Sequence, residues 1–386
     1  AEIVLLIDGY GQLAEEFDDL AEIVFDLLRR GAAHGIHVVA TTTRWNEIRM
    51  AQQSFFGNKI ELRLADPTES SHGRSLAETL PSDRPGRALL AGGLFAHVAL
   101  PRIDGVASDD DAADGLRHLA ETVSAGVAER AVEVRLLPSD LPPDGVKSPR
   151  GRAMVALGLD ESDLSTTVLD MDGTDRHLII FGDSGTGRTT MLRRVIAELV
   201  RTHSPKELVF AVFDPRRSLT DAVPEGGYLG GTATSAVLAQ KLVAAIVPEL
   251  EARVPRSVDA SVKVAPPVPH IVVLIDDYDA LGSGAAPFKA LLPFIPMGNE
   301  VGLSVVLTRR MTGAGRAMYD QFINSMRDSG ATGFMFSGDR AEGMLLGNQR
   351  PRALPIGRAM LLRSGQPVRT VQIVNQPDHV TETDEG

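Results

Sequence analysis

Two rhythms alternate along the hydrophobic positions of this chain. "HLIIFG" (His177 to Gly182) is a continuous apolar run of strand length. "TTMLRRVIAELVRTH" (Thr189 to His203) spaces its apolar residues three and four apart, as one face of a helix does. "ELVFAVFD" (Glu207 to Asp214) returns to the strand rhythm and "SAVLAQKLVAAIVPELEARV" (Ser235 to Val254) to the helical one. "HIVVLIDD" (His270 to Asp277) and "GLSVVLTRR" (Gly302 to Arg310) are strand-like again. Apolar strands separated by helices predict an α/β fold with a mostly parallel sheet covered on both faces.

The pattern occurs twice. "IVLLIDGY" (Ile3 to Tyr10) returns as "VVLIDDY" (Val272 to Tyr278), "HGIHVVATTTRW" (His34 to Trp45) as "EVGLSVVLTRR" (Glu300 to Arg310), and "PGRALL" (Pro85 to Leu90) as "IGRAMLL" (Ile356 to Leu362). The pairs Asp8/Asp276, Gly35/Gly302 and Gly86/Gly357 keep their order and nearly constant separation, so the chain carries a duplicated α/β module. Only seven residues precede Asp8, too few for the segment that leads to Asp276 in the second copy. The expectation is that residue 1 falls inside a module. Asp104 to Gly151 reads as a connector: an acidic run (Ser108 to Asp111) expected to be a solvated loop, a helix over Ala112 to Ala131, and the segment "VEVRLLPSDLPPDG".

Between strand and helix of the second copy stands "IFGDSGTGRTT" (Ile180 to Thr190). It follows the phosphate-loop pattern G-x-x-x-x-G-K-[ST] with Arg188 in place of lysine. Gly182, Gly185 and Gly187 allow the backbone of Asp183, Ser184, Thr186 and Arg188 to curl with its N–H groups inward, and the following helix contributes its positive end. Thr189, with Thr190 behind it, stands where a hydroxyl ligates Mg²⁺. Downstream, Asp276 ends an apolar strand where a carboxylate holds the metal's water shell, and Asp277 occupies the place of a base or water-orienting carboxylate. Arg188 keeps the charge of lysine but replaces a flexible point charge with a wide planar fork. Binding by main-chain amides does not depend on that side chain, whereas hydrolysis depends on fine placement of the γ-phosphate. ATP binding with slow or silent turnover is the expectation.

In the first copy the acidic pair is reduced to Asp8-Gly9. Tyr10 and Tyr278 are expected to pack at strand ends. Arg44 and Arg309 end the strand after the acidic one, where sensor residues reach a γ-phosphate, and Arg63 in "ELRLADP" is a candidate finger toward a neighbouring module.

Composition narrows the field. The 386 residues are 43 % apolar and 23 % charged, enough for two domains with proper cores. Without cysteine there are no disulfides or thiolate metal sites. The nine histidines lack metal-site spacing, and no G-x-S-x-G elbow is present. No apolar run reaches the roughly 18 residues of a membrane span. A net charge of −12 disfavours unaided wrapping of nucleic acid, where phosphate neutralisation supplies most of the affinity.

With these motifs in view the chain resembles the C-terminal ATPase portion of the type VII secretion ATPases (EccC) of the FtsK/SpoIIIE class. The carrying segments are "LLIDGYGQLAEEFDDL", "LRLADPTESSHGR" and "ALPRIDG" in the first copy, and "HLIIFGDSGTGRTTMLRRV", "VVLIDDYDAL" and "GDRAEGMLLGNQRPRALPIGRAMLL" in the second. The resemblance implies RecA-like P-loop NTPase modules. Residues 1–104 would be the latter part of a second module, its P-loop missing, residues 105–150 a linker, and residues 151–386 a complete third module. It implies ATP and Mg²⁺ as ligands and a machine at the cytoplasmic side of the inner membrane, a hexamer in its full form. Its partners would be other ESX subunits and WXG100 (EsxA/EsxB-like) helical hairpins, received through a hydrophobic pocket of the third module. Members usually carry lysine at position 188, so the departure bears on turnover. The other branch of the class, DNA-translocating motors, would require a basic channel, and a scaffold with an empty loop would bind no nucleotide.

Overall fold

The computed structural model describes residues 2–128, 135–219, 221–255, 267–282 and 286–376. The chain divides into two units, Ala1–Val132 and Glu133–Gly386.

In the first unit β1 (Ile3–Ile7) and β2 (Ile36–Ala40) pair in parallel, from Ile3 opposite Ile36 to Ile7 opposite Ala40. Helices Tyr10–Glu16 and Asp18–Arg30 connect them. A small core of Ile7, Tyr10, Val24 and Ile48 forms against Leu13, Trp45 and Phe56. Ile3, Val4 and Leu6 remain 58 %, 56 % and 72 % exposed, so one strand carries an open apolar surface. Strands β3 (Glu61–Leu62), β4 (Arg87–Leu90) and β5 (Leu94–His97) form an antiparallel sheet. The connector helix runs over Ala112–Ala125, shorter than its pattern predicts. Gly126, a poor helix former, ends it, and its N–H bonds back to Val123. Beyond Ala128 the predicted remainder of the helix and the start of the following segment lie outside the described residues. In the acidic run Asp109 and Asp110 are exposed, as a solvated loop requires. Asp111 is exposed as well, and with Asp104 it clasps the buried guanidinium of Arg102, at 2.5 and 2.7 Å.

Among the described residues, the strands of the second unit form one ten-stranded sheet. Its strands are β6 (Met154–Asp160), β7 (Thr166–Asp170), β8 (His177–Gly182), β9 (Leu208–Phe213), β10 (Leu229–Ala233), β11 (His270–Ile275), β12 (Leu303–Arg310), β13 (Thr332–Met335), β14 (Arg358–Leu362) and β15 (Arg369–Ile373). They lie in the order β10-β9-β11-β12-β8-β13-β14-β15-β6-β7. The stretch from β10 to β13 is parallel, and β14, β15, β6 and β7 extend it antiparallel. Burial explains the continuous apolar runs. Ile179 and Phe181 of β8 enter one core while Leu178 and Ile180 enter the core on the opposite face. Helix Ala236–Arg253 packs on the first face and helix Arg188–Thr202 on the second. Truncating such a side chain to alanine costs about 2–5 kcal/mol.

The duplication extends to register and to single hydrogen bonds. β11 and β12 pair from Ile271 opposite Leu303 to Ile275 opposite Leu307, the counterpart of the β1/β2 pairing. Thr41 donates its hydroxyl to Asp8 Oδ1 at 2.6 Å, and Thr308 donates to Asp276 Oδ1 at 2.5 Å. The same threonine oxygens accept the N–H of Gly9 and of Asp277. Tyr10 and Tyr278 are both buried, and their hydroxyls donate to Gln52 Oε1 and Asp320 Oδ1 respectively.

Candidate nucleotide site

The glycine loop leaves β8 at Gly182 and becomes helix Arg188–Thr202, with Gly187 as its N-cap at φ 117°. Two constraints on glycine are visible. Gly185 and Gly187 both lie at positive φ, which L side chains rarely adopt. A Cβ on Gly182 would stand 2.7 Å from both Phe336 Cβ and Thr186 Oγ1. Phe336 is wholly buried against the loop, and Gly357 donates its N–H to Thr186 O at 2.9 Å. The chain that follows β13 and precedes β14 thus braces the loop from behind.

Among the described residues, no hydrogen-bond acceptor takes the backbone N–H groups from Ser184 to Thr190. Ser184 and Gly185 are exposed. Consecutive unpaired amides at the positive end of a helix form an anion-binding concavity. The donor set therefore fits the phosphates of a nucleotide. Thr189, Ser218 and Thr308 converge on Asp276: Thr189 Oγ1 lies 3.0 Å and Ser218 Oγ 2.7 Å from Oδ2, and Thr308 holds Oδ1. A hydroxyl beside a carboxylate at the loop's end is the oxygen chemistry that suits Mg²⁺.

Arg188 does not extend along the loop. Its Nη1 donates to Asp277 Oδ1 at 2.7 Å, and the two side chains are only 8 % and 5 % exposed. Arg216 pairs with the other oxygen of Asp277, so both oxygens carry a guanidinium. Asp277 sits at φ 50° where the first copy has Gly9, also left-handed, and such a conformation in a non-glycine residue stores strain. The expectation that Asp277 orients water meets a carboxylate already engaged on both sides.

The residues of the loop after β9 were not singled out by the sequence. Asp214 ends that strand and accepts from the N–H groups of Arg216 (3.2 Å) and Leu219 (2.7 Å), which folds the segment back and presents Arg216 and Ser218 to the acidic pair. The signal available was an apolar strand ending in aspartate, "FAVFD", beside a second one, "VVLID". A cavity of about 430 Å³ opens next to this loop, lined by Thr189, Thr190, Arg193, Arg217, Ser218 and Gln376.

Of the other expected residues, Arg309 is half-buried, donates to the carbonyl of Arg310 at 2.9 Å, and has its pKa pulled below the arginine range by burial. Arg44 pairs loosely with Glu69 at 3.6 Å. Arg63 is exposed, with no ion pair or hydrogen bond among the described residues. Asp66 caps the short helix after it as Asp339 does in the second copy, which aligns Arg63 with Phe336. No helix among the described residues is long and apolar enough to cross a membrane.

Comparison with known proteins places this geometry. The model of the FtsK/SpoIIIE family matches residues 4–104 and 140–262. The chain is 32 % identical over 387 residues to ESX secretion system protein EccC of Thermomonospora curvata and 34 % identical over 385 residues to ESX-4 secretion system protein EccC4 of Mycobacterium tuberculosis, covering 96 % and 98 % of its own length. It spans only 28 % and 30 % of those two relatives. Against ESX-1 secretion system protein EccCb1 of M. tuberculosis it is 30 % identical over 397 residues and spans 67 % of that protein. A solved structure of T. curvata EccC (ATPases 2 and 3) in complex with a signal sequence peptide superposes with a TM-score of 0.71 at 30 % identity, covering 98 % of this chain and 69 % of that one. By motif, fold and these likenesses, the chain belongs to the FtsK/SpoIIIE family of P-loop ATPases, among the EccC proteins of ESX secretion systems.

Proposed function

We propose that the unit Glu133–Gly386 holds ATP·Mg²⁺ on the loop Gly182–Thr190, turns it over slowly, and serves the substrate-recognition end of an ESX secretion ATPase. The observation that carries this reading is the row of unpaired amides from Ser184 to Thr190 beside Thr189 and Asp276. The amides of Ser184 to Thr190 take the phosphate oxygens, and Thr189 and Asp276 hold the metal directly or through its water. Turnover is slow because Asp277, the carboxylate a hydrolytic site would use to orient water, stays held by Arg216. Calorimetric titration with ATP·Mg²⁺ tests the reading. Saturable binding with turnover well below the roughly 1 s⁻¹ lower end of common enzyme rates is expected. No binding at millimolar nucleotide refutes it.

A relative supports a reading of the partner. The T. curvata structure was solved with a signal sequence peptide, and on that likeness this chain takes the export signal of WXG100 (EsxA/EsxB-like) proteins, inside a machine at the cytoplasmic side of the membrane that forms a hexamer. Arg63, exposed and unpaired among the described residues, is the proposed finger toward a neighbouring module in that assembly. Titration of the chain with a signal-bearing WXG100 dimer should give micromolar or tighter binding that disappears when the signal is deleted. Binding that is instead salt-dependent and specific to DNA would favour a DNA-translocating motor.

A further inference from the structure

The loop after β9 contains a residue that no motif assigns to the nucleotide site. We infer that Arg216 is a positioning residue of that site: by holding Asp277, it allows Arg188 to leave its buried ion pair and turn to the phosphates. The inference rests on the nucleotide reading above.

The argument begins with Asp277, which is 3 % exposed and cannot be left alone as a charge. If Arg188 were its sole partner, moving that guanidinium to a phosphate would strand a buried carboxylate, and the pair would stay closed. Arg216 removes this obstacle. It reaches Asp277 Oδ2 from the opposite side, while Arg188 holds Oδ1. Two guanidiniums on one carboxylate leave an excess positive charge at the clasp, and one of them can depart with the remaining pair still neutral. Arg188 is the one placed to depart, because it occupies the phosphate-loop position and starts the helix whose amides are unpaired. Arg216 is placed to stay. Its own N–H is fixed to Asp214 Oδ1, and the neighbouring Ser218 hydroxyl bridges toward Asp276 Oδ2 at 2.7 Å. The loop is thereby tied to both acidic residues. Arg217 within it sits at φ 58°, a strained conformation held by the same contacts.

This assigns a cause to the arginine at position 216. A lysine at position 188 can reach the phosphates as a free point charge, whereas the guanidinium pairs more readily with a carboxylate in a buried site. The second arginine compensates for that preference.

The test is a set of ATP titrations by calorimetry on the full chain. Arg216→Ala should weaken ATP about tenfold, and Arg216→Lys should restore affinity to within about threefold, since a retained cation suffices to hold Asp277. In an Asp277→Asn background the carboxylate no longer needs a partner, so Arg216→Ala should then change ATP affinity by less than twofold. A loss of similar size in both backgrounds would mean that Arg216 contacts the nucleotide itself, and the inference fails. So does an Arg216→Ala variant that binds as the unaltered chain does, or a lysine that restores nothing. If the unaltered chain binds no nucleotide at all, the site assignment itself is refuted and this inference with it, an outcome distinct from binding without the Asp277 dependence.

Discussion

Replacing Asp277 by asparagine separates two roles that this position can have. A carboxylate that orients the attacking water affects turnover and leaves ATP affinity nearly untouched. In this structure Asp277 instead restrains Arg188 through a 2.7 Å bond between nearly buried side chains. Hydrogen bonds to charged groups contribute about 1.5–3 kcal/mol, and a neutral acceptor retains about half of that. Asp277→Asn therefore releases roughly 1 kcal/mol of restraint, which converts to about fivefold tighter ATP binding at 1.4 kcal/mol per tenfold. The same change removes a negative charge close to the phosphates, and that alone would also favour ATP. An Arg188→Ala background distinguishes the two causes. If the gain runs through Arg188, Asp277→Asn adds less than twofold once Arg188 is gone; a purely Coulombic gain persists at full size. Calorimetry with a non-hydrolysable ATP analogue on the four proteins of this cycle gives the numbers. Unchanged or weaker binding by Asp277→Asn refutes the argument, and so does a gain that ignores residue 188.

Three further predictions concern the surroundings. Gly182→Ala places a Cβ 2.7 Å from Phe336 Cβ, and overpacking of this kind should cost about 1–3 kcal/mol in denaturant melts; a variant as stable as the parent would show that the bracing of the loop is slack. Thr189→Val removes the hydroxyl that lies 3.0 Å from Asp276, so the preference for ATP with Mg²⁺ over ATP with EDTA, expected of the unaltered chain, should shrink; an undiminished preference would remove Thr189 from the metal site. His177 is buried and neutral: burial pulls its pKa down to about 4, Nδ1 accepts the N–H of Val305, and Nε2 lies 3.0 Å from Ile295 O. Its folded pKa lies below the roughly 6.5 of the unfolded chain, so the unfolded state takes up the proton first. Stability should therefore fall as pH drops from about 6.5 to about 4, by up to about 3 kcal/mol from this residue, and His177→Gln should flatten that slope.

Much of this was legible in the sequence, for identifiable reasons. The glycine loop, the strand before it and Asp276 are local features, fixed by backbone geometry and by burial on both faces of a sheet. The duplication was legible because Asp8/Asp276 and Gly35/Gly302 are anchored by the same turn geometry in both copies. The antiparallel extension was not. β6 and β7 are separated in the sequence from β14 and β15, and pairing across such distance leaves no periodic signature in either segment. The clasp on Asp277 was likewise hidden. Whether a guanidinium at position 188 faces a phosphate or a carboxylate depends on Asp277, which pairs with it, and on Arg216, which pairs with Asp277, both brought in beyond the ends of other strands. The acidic run is exposed as expected, but its ion pair was hidden for a related reason: Asp111 finds Arg102, a partner that a charge pattern alone does not reveal.

The most direct measurement is a crystal structure of the chain grown with ATP·Mg²⁺. The account predicts triphosphate oxygens against the amides of Ser184 to Thr190, with Arg188 turned toward them and Arg216 still on Asp277. A loop that stays empty at saturating nucleotide, or a bound triphosphate with Arg188 still closed on Asp277, would contradict it.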